Sequence, residues 1–469
     1  MERRKFIQTG SLGGASLILN NTLSKTGIEE KDSSRKKNMI WIFPDQLRAQ
    51  ALGYMGDPNA RTPFINDLSL KGTTFTDAVS GCPWSSPFRG ALLTSKYNNQ
   101  CGVYITPQLL DRNLPLVTDV YNENGYLTAY FGKWHLNGSN KRIFVPRENR
   151  GRFHIWLGYE LNGDHNNTWI HGHDIWGRED KIPDAEKLGK YETDALTDKL
   201  IDFLKRRPKD KPFFAVLSVH PPHDPYVAPP EYMEHYPVNG IKLRPNVPEN
   251  DEWQKSYRKI LAGYYGMIEN LDYNIGRILK TLHELNLEES TNLAFFSDHG
   301  DCHGSHGFVK KSSPWEEAIR IPCLFLPAGK TGRQRFTNIP FNHVDFAPTS
   351  LGLCEIEKPD WMSGTDLSSF IVEDRPAPQK EPDSVFLQHI HRKRFDCLNR
   401  PWRAIRTRDG WKYVILEGQP IMMFNLNDDP YEMTNLVYLD TYNEKREELQ
   451  EKLRNWIAST GDEFLMPEL

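Results

Sequence analysis

Four short apolar runs that each end in polar residues constrain the fold of this chain more than any other feature. The runs are 39–43, 127–131, 213–219 and 292–296. A short, continuously apolar run is typical of a strand that is buried on both faces of a parallel sheet. Helical patterns, such as 195–206 and 260–285, lie between the runs. This alternation of strands and helices predicts an α/β fold built on a parallel sheet.

The composition changes toward the C-terminus. Residues 355–385 are rich in proline and charged residues, and two short strand patterns follow at 411–416 and 421–426. An amphipathic helix pattern lies at 443–459. These elements predict a small α+β C-terminal subdomain. The predicted division is an export signal and linker at 1–37, a large α/β domain at 38–365 and the C-terminal subdomain at 366–469.

The N-terminus carries a basic motif ahead of a weakly apolar stretch. Arg3 and Arg4 precede Phe6 and the small, apolar residues 10–19, a pattern that resembles a twin-arginine export signal; a basic, disordered start is the alternative. No segment is long and apolar enough to span a membrane. The net charge of −4 gives no reason to expect a nucleic-acid partner. We therefore expect an exported, periplasmic protein that does not span a membrane.

Polar residues follow the predicted strands at the edge where ligands gather in parallel α/β sheets. Asp45 and Gln46 follow the first run, and Asp298 and His299 follow the last. Two carboxylates and an amide oxygen are hard ligands that suit Ca²⁺ or Mg²⁺, whereas an imidazole suits these ions less well. His299 is therefore predicted either at the edge of a metal site or against a substrate anion. Each pair taken alone also fits a loop-capping aspartate.

Positive and histidine side chains accompany these carboxylates. They are Arg89, Lys133, His135, His223 and Lys311. Cations that converge beside a metal ion suit a tetrahedral dianion such as sulfate or phosphate. Histidines supply general acid–base capacity near neutral pH. Each of these residues taken alone is more often structural, but together they predict an anion-binding metal site at the carboxyl edge of the sheet.

Ser85 begins the pattern Ser85-x-Pro87-x-Arg89, just ahead of a predicted helix. Pro87 fixes its own φ and favours extended backbone at Ser86. Backbone N–H groups and the macrodipole favour anions at a helix N-terminus. Ser85 is therefore predicted beside the anion site, and a turn that caps the helix is the alternative.

Taken in order along the chain, these residues resemble those of type I, formylglycine-dependent sulfatases of the alkaline phosphatase superfamily. The resemblance covers nearly the whole chain after the signal and extends to further segments. These are 132–135, 297–300, 306–311, 342–349 and 427–432. It implies a sulfuric ester hydrolase with an alkaline-phosphatase-like fold: a large mixed, mostly parallel sheet flanked by helices, with a small α+β C-terminal subdomain.

The same resemblance implies a modified residue and a metal ion. Ser85 is oxidised after translation to formylglycine (3-oxoalanine), whose hydrated aldehyde is the nucleophile. The metal is calcium, with Mg²⁺ as the alternative. The implied ligands are residue 85, Asp45, Gln46, Asp298 and His299.

The resemblance also assigns the residues that handle the anion and its protons. Arg89 and Lys133 hold the formylglycine and the sulfate, and His135 is the base for the step that releases sulfate. His223 and Lys311 are the leaving-group acid and the sulfate contacts. Lys311 is preferred to the lysine before it, because its spacing to the following aromatic–glutamate pair matches the family.

Three features depart from the family's commoner pattern. Ser85 stands where many relatives have cysteine, which implies maturation by an oxygen-independent, radical-type formylglycine-generating enzyme. Phe88 stands where serine is usual, a change that is expected to be tolerated. Gln46 and His299 replace the commoner Asp and Asn, which leaves the choice between Ca²⁺ and Mg²⁺ open.

The expected substrate is a sulfated carbohydrate, such as an oligosaccharide derived from a polysaccharide. Residues 151–178 are rich in aromatic residues and histidines, among them His165, and this stretch is expected to contact sugar. An aromatic core of a surface subdomain is the alternative. Arg392 and Arg403 are expected to contact acidic sugar groups, with a solvated basic surface as the alternative.

Two other functions fit the same residues. A phosphonate monoester or phosphodiester hydrolase of the same superfamily would share the formylglycine, the metal and the cations. Parallel assays on sulfate esters and phosphodiesters separate it from a sulfatase. A non-catalytic carbohydrate-binding relative would keep the fold alone, and the near-complete set of candidate residues argues against it.

Overall fold

Strands and helices alternate along most of the chain, as the apolar runs predict. The structure is a computed structural model that describes residues 36–468 except 183, 330–334, 374, 392–397 and 399. The predicted twin-arginine signal and Arg392 lie outside the described residues. Residues Lys36–Leu469 form one compact unit.

The elements of the described residues are numbered here in chain order. The strands are β1 Asn38–Pro44, β2 Thr73–Phe75, β3 Ala78–Val79, β4 Leu127–Lys133, β5 Ile155–Tyr159, β6 Trp169–His173, β7 Glu186–Lys187, β8 Phe213–Val219, β9 Thr291–Phe296, β10 Cys323–Leu326, β11 Arg335–Thr337, β12 Phe341–Asn342, β13 Ser384–His389, β14 Trp402–Thr407, β15 Trp411–Leu416 and β16 Gln419–Asn425. The α-helices are α1 Pro63–Lys71, α2 Ser85–Thr94, α3 Asn98–Cys101, α4 Val117–Glu123, α5 Glu192–Arg206, α6 Pro230–Met233, α7 Asp251–Glu284, α8 Glu316–Ile319, α9 Phe346–Leu353 and α10 Asn443–Thr460.

Ten of the described strands form one sheet, in the order β11-β2-β10-β9-β1-β8-β4-β5-β6-β7. β1 lies near its centre and pairs in parallel with both β8 and β9. β4 pairs in parallel with β8 and β5, whereas β10 and β6 run antiparallel to their neighbours. The sheet is therefore mixed and mostly parallel, which confirms the predicted fold class.

β1 is buried on both faces, which explains its continuously apolar sequence. Trp41 and Phe43 pack into a core on one side of the sheet. Ile40 and Ile42 pack into a second core on the other side, beneath the long helix α7. Full burial of an apolar side chain of this size stabilises the fold by roughly 1.5–3 kcal/mol. The central strand is therefore fixed from both sides, and the residues that follow it are fixed with it.

A second, smaller sheet forms after the large one. β13, β14, β15 and β16 are antiparallel neighbours in chain order. Leu453 and Ile457 of α10 pack with Ile405 and Tyr413 of this sheet in a separate core. This arrangement confirms the predicted small α+β element near the C-terminus. The predicted boundary between residues 365 and 366 stays a prediction.

β13 and β14 form where the sequence predicts no strand. Arg403 and Arg406 lie within β14 and are both buried. Arg403 pairs with Asp462 and Arg406 pairs with Asp77, which come from distant parts of the chain. Buried arginines interrupt the apolar pattern of a strand, so the sequence does not predict β14, and Arg403 is instead expected to contact an acidic sugar group, with a solvated basic surface as the alternative. The ion-pair partners that make this burial tolerable appear only in the tertiary structure.

α7 is longer than its apolar periodicity predicts, because it begins at Asp251 rather than at residue 260. The Asn250 side chain accepts a hydrogen bond from the Trp253 backbone N–H, which satisfies one of the unpaired donors at a helix start. The first turns of α7 are polar, so its N-terminus is indicated by the Asn250 cap and not by an apolar face. None of the described helices is long and apolar enough to cross a membrane.

Gly132, the penultimate residue of β4, provides a test of how the fold places the lysine that follows it. Its φ is +110°, and a Cβ there would lie 2.0 Å from the Ser218 carbonyl oxygen of β8. We expect Gly132→Ala to lower the free energy of unfolding by about 2–3 kcal/mol, because backbone must move on a central strand pair. Urea denaturation measures this change.

Gly163→Ala is the matched control, because nothing lies within 4 Å of a Cβ at that position. We expect it to change stability by less than about 0.5 kcal/mol. Equal stability of the two variants would show that the β4–β8 contact does not require glycine.

Candidate active site

The carboxyl ends of four neighbouring strands bring the predicted site residues together. β9, β1, β8 and β4 are adjacent in the sheet and run parallel. Asp45 directly follows β1, Lys133 ends β4, and Asp298 and His299 follow β9. All four residues are buried. Because these strands are neighbours, residues that are distant in the sequence lie together in one cluster.

Ser85 lies at the centre of this cluster. Its Oγ lies 3.1 Å from Asp45 Oδ2 and 3.1 Å from His299 Nε2. It is the first residue of α2 rather than the residue ahead of that helix, and Trp84 occupies the N-cap position. Ser85 is 2% exposed, so the hydroxyl is not held by a surface turn. Its environment is that of a buried polar site.

Asp45 and Asp298 place two carboxylates side by side within this site. Arg89 Nη2 lies 3.3 Å from Asp45 Oδ2 and 3.5 Å from Asp298 Oδ2. Burial alone would raise the pKa of Asp45, but Lys133 and Lys311 outweigh it and hold that pKa well below its usual value. Burial and the adjacent Asp45 raise the pKa of Asp298. The pair therefore presents adjacent carboxylate oxygens, the ligands that a hard divalent cation prefers.

His299 directs a lone pair at these carboxylates. Its Nδ1–H donates to the Gly300 carbonyl oxygen at 3.0 Å, so in the neutral ring Nε2 carries no proton. Burial, followed by Lys311, lowers the pKa of His299 well below its usual value. Nε2 lies 3.5 Å from Asp45 Oδ1 and 3.6 Å from Asp298 Oδ1. These three side chains can offer a metal ion one ligand atom each.

Gln46 also reaches the site, but its amide contacts other residues. Its Oε1 accepts a hydrogen bond from Lys311 Nζ at 2.9 Å. Its Nε2–H groups donate to Asp301 Oδ2 at 2.7 Å and to the Tyr226 hydroxyl at 3.0 Å. A carbonyl oxygen has two lone pairs, so one remains beside Lys311. The assignment of Gln46 as a metal ligand stays a prediction.

Three cations surround Asp45. Lys133 Nζ donates to Asp45 Oδ2 at 2.6 Å, and Lys311 Nζ lies 3.8 Å from Asp45 Oδ1. Arg89 also donates through Nη1 to the Lys133 carbonyl oxygen at 2.8 Å, which ties the end of β4 to α2. Lys310, by contrast, has a side chain 43% exposed and lies 3.6 Å from Asp224. The structure therefore brings Lys311, and not Lys310, to the carboxylates.

His135 and His223 present one ring nitrogen each for proton transfer. His135 Nε2 lies 3.3 Å from Asn140 Oδ1 and donates to it, while its buried Nδ1 has no hydrogen-bond partner among the described residues. His223 Nδ1–H donates to the Asp224 carbonyl oxygen at 2.8 Å, which leaves its Nε2. Burial lowers the pKa of both histidines well below the usual value, with Lys133 adding to the effect at His135 and Lys311 at His223.

The structure corrects two of the predicted sugar contacts. His165 is 1% exposed, and its Nε2–H donates to the His223 carbonyl oxygen at 2.9 Å, so it lies beneath the site instead of facing a substrate. Arg403 is also buried, and its Nη2 donates to Asp462 Oδ1 at 2.9 Å. A buried guanidinium paired with a carboxylate is not available to an acidic sugar. Arg392 lies outside the described residues.

The sequence missed three residues that organise the site. Asp301 and Tyr226 hold the Gln46 amide. Glu192, the first residue of α5, accepts a hydrogen bond from the His220 backbone N–H at 2.8 Å and thereby holds the end of β8. Asp301 follows Asp298 closely in the chain, which is a weak signal. No sequence signal points to the role of Glu192, because its partners come from β5, from the residue after β8 and from the loop before β6.

The chain is similar to a known family and to proteins of known activity. It matches the family model described as Sulfatase over residues 37–356, and the model described as N-sulphoglucosamine sulphohydrolase, C-terminal, over residues 304–459. The ulvan-active sulfatase of Formosa agariphila is 34% identical over 442 residues, which cover 93% of this chain and 84% of that protein. The endo-4-O-sulfatase of Bacteroides thetaiotaomicron is 26% identical over 490 residues, which cover 92% and 94%.

A solved structure supports the same relationship. It is described under the metabolism of multiple glycosaminoglycans by Bacteroides thetaiotaomicron and matches with a TM-score of 0.81 and 25% sequence identity. The match covers 92% of this chain and 97% of that chain. The fold is therefore shared over nearly the full length of both proteins.

The Arg403–Asp462 pair distinguishes a structural from a substrate-binding role for Arg403. Both side chains are 5% exposed. We expect Arg403→Ala to lower the free energy of unfolding by about 3–5 kcal/mol, because it leaves a buried carboxylate without its partner. Urea denaturation of Arg403→Ala, Asp462→Ala and the double variant measures the coupling, and the double variant is expected to lose less than the sum. A raised KM at unchanged stability would instead favour a sugar contact.

Proposed function

Because the chain belongs to the sulfatase family, we propose that it hydrolyses sulfate esters of a carbohydrate with a formylglycine made from Ser85 as the nucleophile. The position of Ser85 carries this proposal. Its Oγ touches Asp45 and His299 at the start of α2, beside three cations and two neutral histidines. A site of this kind combines an attacking group, charge stabilisation for a sulfate, and proton transfer.

Asp45 and Asp298 supply carboxylate oxygens that a divalent cation of the calcium type prefers, and His299 adds a nitrogen at the edge of this donor set. Asp298 Oδ2 is buried and accepts no hydrogen bond from the described residues, and His299 Nε2 presents its lone pair beside both carboxylates. These three residues would hold Ca²⁺, or Mg²⁺, together with residue 85, and Gln46 Oε1 is the remaining candidate. When bound, such an ion supplies positive charge that favours ionisation of a nearby hydroxyl and offsets charge on the sulfate.

Formylglycine at position 85 supplies a hydrated aldehyde, with one hydroxyl to attack sulfur and a second to help release sulfate. Lys133 and Arg89 hold Asp45 against residue 85 and present positive charge to the anion. His135 Nδ1 is the atom that accepts the proton in the release step, because its Nε2–H is held by Asn140. The lowered pKa of His135 keeps this nitrogen free of a proton at neutral pH.

His223 and Lys311 handle the leaving group in this proposal. His223 Nε2 faces away from the Asp224 carbonyl oxygen that holds Nδ1. Lys311 lies between Gln46 and Asp45, where its ammonium contacts an incoming sulfate oxygen. A bound anion raises the pKa of a histidine beside it. His223 therefore holds a proton at Nε2 in the substrate complex and transfers it to the leaving alcohol oxygen as the S–O bond breaks.

A sulfated polysaccharide or its oligosaccharides is the proposed source of the ester. The similarity to an ulvan-active sulfatase and to an endo-4-O-sulfatase supports this class. Aromatic residues of the 151–178 stretch contribute to it: the Trp169 ring is only partly buried and has the Arg142 guanidinium 4.3 Å from its centre. Arg392 remains a proposed contact for an acidic sugar group.

Maturation and export complete the proposal. Conversion of a serine requires a partner enzyme, and the serine at position 85 points to the oxygen-independent, radical-type maturase. The pattern of Arg3, Arg4 and Phe6 supports export through a twin-arginine route to the periplasm.

Ser85 oxidation is the decisive experiment. We expect protein co-expressed with a radical-type maturase to lose the mass of two hydrogen atoms on the peptide that contains residue 85, measured by mass spectrometry. The matured protein is expected to cleave sulfate esters of sugars and aryl alcohols much faster than phosphodiesters. Ser85→Ala removes the oxidisable hydroxyl and is expected to abolish activity.

Ser85→Cys serves as the matched variant. Cysteine is the other residue that the family converts, so this variant is expected to regain activity in a host with the copper-dependent oxidase. An unmodified Ser85 in fully active protein would overturn the formylglycine proposal. Faster cleavage of phosphodiesters than of sulfate esters would instead favour the alternative hypothesis, a phosphonate monoester or phosphodiester hydrolase.

Lys311 and Lys310 form a natural pair for testing the sulfate contact. Lys311→Ala is expected to lower kcat/KM on a sulfate ester by about 10²–10³, because it removes a fixed positive charge from a buried site. Lys310→Ala is expected to stay within about tenfold of the parent, since its side chain is 43% exposed. Steady-state kinetics on one aryl sulfate measures both, and equal losses would contradict the assignment.

A further inference from the structure

A second group of buried side chains lies beneath His223 and has no place in the proposed sulfate chemistry. His165, Glu192 and His220 each offer a ligand atom, and these atoms lie within 4.8 Å of one another. All three residues are buried. The His220 ring lies 4.5 Å from the His223 ring and 5.2 Å from the His165 ring, measured between centres.

The hydrogen bonds of His165 fix which of its nitrogens carries a proton. Its Nε2 lies 2.9 Å from the His223 carbonyl oxygen, which only accepts, so Nε2 is protonated. In the neutral ring Nδ1 is then a bare lone pair, and it lies 3.9 Å from Glu192 Oε2. That distance is too long for a hydrogen bond. A lone pair and a carboxylate thus face each other across a gap suited to a cation.

The Glu192 carboxylate accepts hydrogen bonds at every acceptor position except the one that faces His165. Oε1 accepts from the Tyr159 hydroxyl and from the His220 backbone N–H, and Oε2 accepts from the Thr168 hydroxyl at 2.9 Å. A carboxylate has about four acceptor positions, so these three contacts leave one. The remaining position lies on Oε2, the oxygen that faces His165 Nδ1.

His220 supplies the third donor. Neither of its ring nitrogens has a hydrogen-bond partner among the described residues, although the ring is 2% exposed. Burial, followed by Lys133, lowers the pKa of His220 well below its usual value, which favours the neutral ring. A buried imidazole whose nitrogens lack hydrogen-bond partners destabilises the fold. His165 Nδ1 and the His220 ring nitrogens therefore have no hydrogen-bond partner among the described residues, and Glu192 attracts the His165 ring only across 3.9 Å.

We propose that His165, Glu192 and His220 form a second metal site, distinct from the group at Asp45, which binds a transition-metal ion of the zinc type. Two histidines and one glutamate are an established zinc-binding set, with a water molecule as a fourth ligand. The bond from His165 Nε2–H to a backbone carbonyl is the outer-shell contact that metal-bound histidines usually make. This inference does not depend on the sulfatase proposal.

The distances allow such an ion with a small adjustment. Zinc bonds of about 2.0–2.2 Å at tetrahedral angles place two ligand atoms about 3.4 Å apart, so His165 Nδ1 and Glu192 Oε2, which lie 3.9 Å apart, must approach by about 0.5 Å. The ligand atom of His220 lies within 4.8 Å of both and must approach by at most about 1.5 Å, and no hydrogen bond to its ring among the described residues opposes that movement. The bound ion would fix the backbone that carries His223.

Zinc binding to the full-length protein tests the site. We expect protein loaded with excess Ca²⁺ to retain one equivalent of Zn²⁺ after desalting, measured by plasma mass spectrometry, and titration calorimetry gives its affinity. Glu192→Gln and His220→Ala are expected to lose more affinity than the roughly tenfold to hundredfold that removing an outer-shell partner costs. Tyr159→Phe removes such an outer-shell partner only, so its loss is expected to stay within that range.

Two further variants separate the sites. Asp298→Asn disrupts the group at Asp45 and is expected to keep its zinc. His235→Ala removes an exposed histidine paired with Glu269 and controls for zinc on the surface. Zinc that is lost in Asp298→Asn but retained in Glu192→Gln and His220→Ala would overturn the proposal.

Wild-type crystals soaked in zinc give a readout that does not depend on the folding of any variant. An anomalous peak between His165, Glu192 and His220 at the zinc edge is the expected result. No peak there, with a doubly protonated His165 ring in nitrogen NMR spectra, would show that a buried His165–Glu192 ion pair occupies the place of the metal and would overturn the proposal.

Discussion

The buried carboxylate of Asp45 is the interaction on which the rest of the site depends. It receives Lys133 at 2.6 Å, Arg89 at 3.3 Å and Ser85 at 3.1 Å, all without exposure to water. A charge in such a place is tolerable only when it is paired and hydrogen-bonded. β4 and α2 are therefore held to the end of β1 by the same carboxylate that we propose as a metal ligand.

The scaffold around Asp45 explains why this arrangement persists. β1 is packed on both faces, so the residue after it has little freedom to move. Arg89 links Asp45 to the carbonyl of Lys133, and Glu192 holds the backbone of His220. Each strand end is thus fixed by a side chain from another element. Side chains held in this way need little rearrangement when an anion binds.

Much of the fold and part of the site followed from local patterns. The runs at 39–43 and 213–219 are strands because both of their faces are buried, and burial of both faces selects continuous apolar sequence. β14 was not predicted, because Arg403 and Arg406 within it are buried in ion pairs with residues that are distant in the sequence. The N-terminus of α7 was not predicted, because the first turns of this helix have no apolar face.

The sequence by itself determined the alternation of strands and helices around the central strands, the family, and the residue types available for an anion site, since these depend on periodicity and on motifs that span a few positions. Only the tertiary structure decided which of these residues contact one another in the site. It brought Lys311 to Asp45 and left Lys310 near the surface. It also placed His165 against Glu192 beneath His223. Such contacts join residues from separate strands and loops, and only the folded topology sets the distances between them.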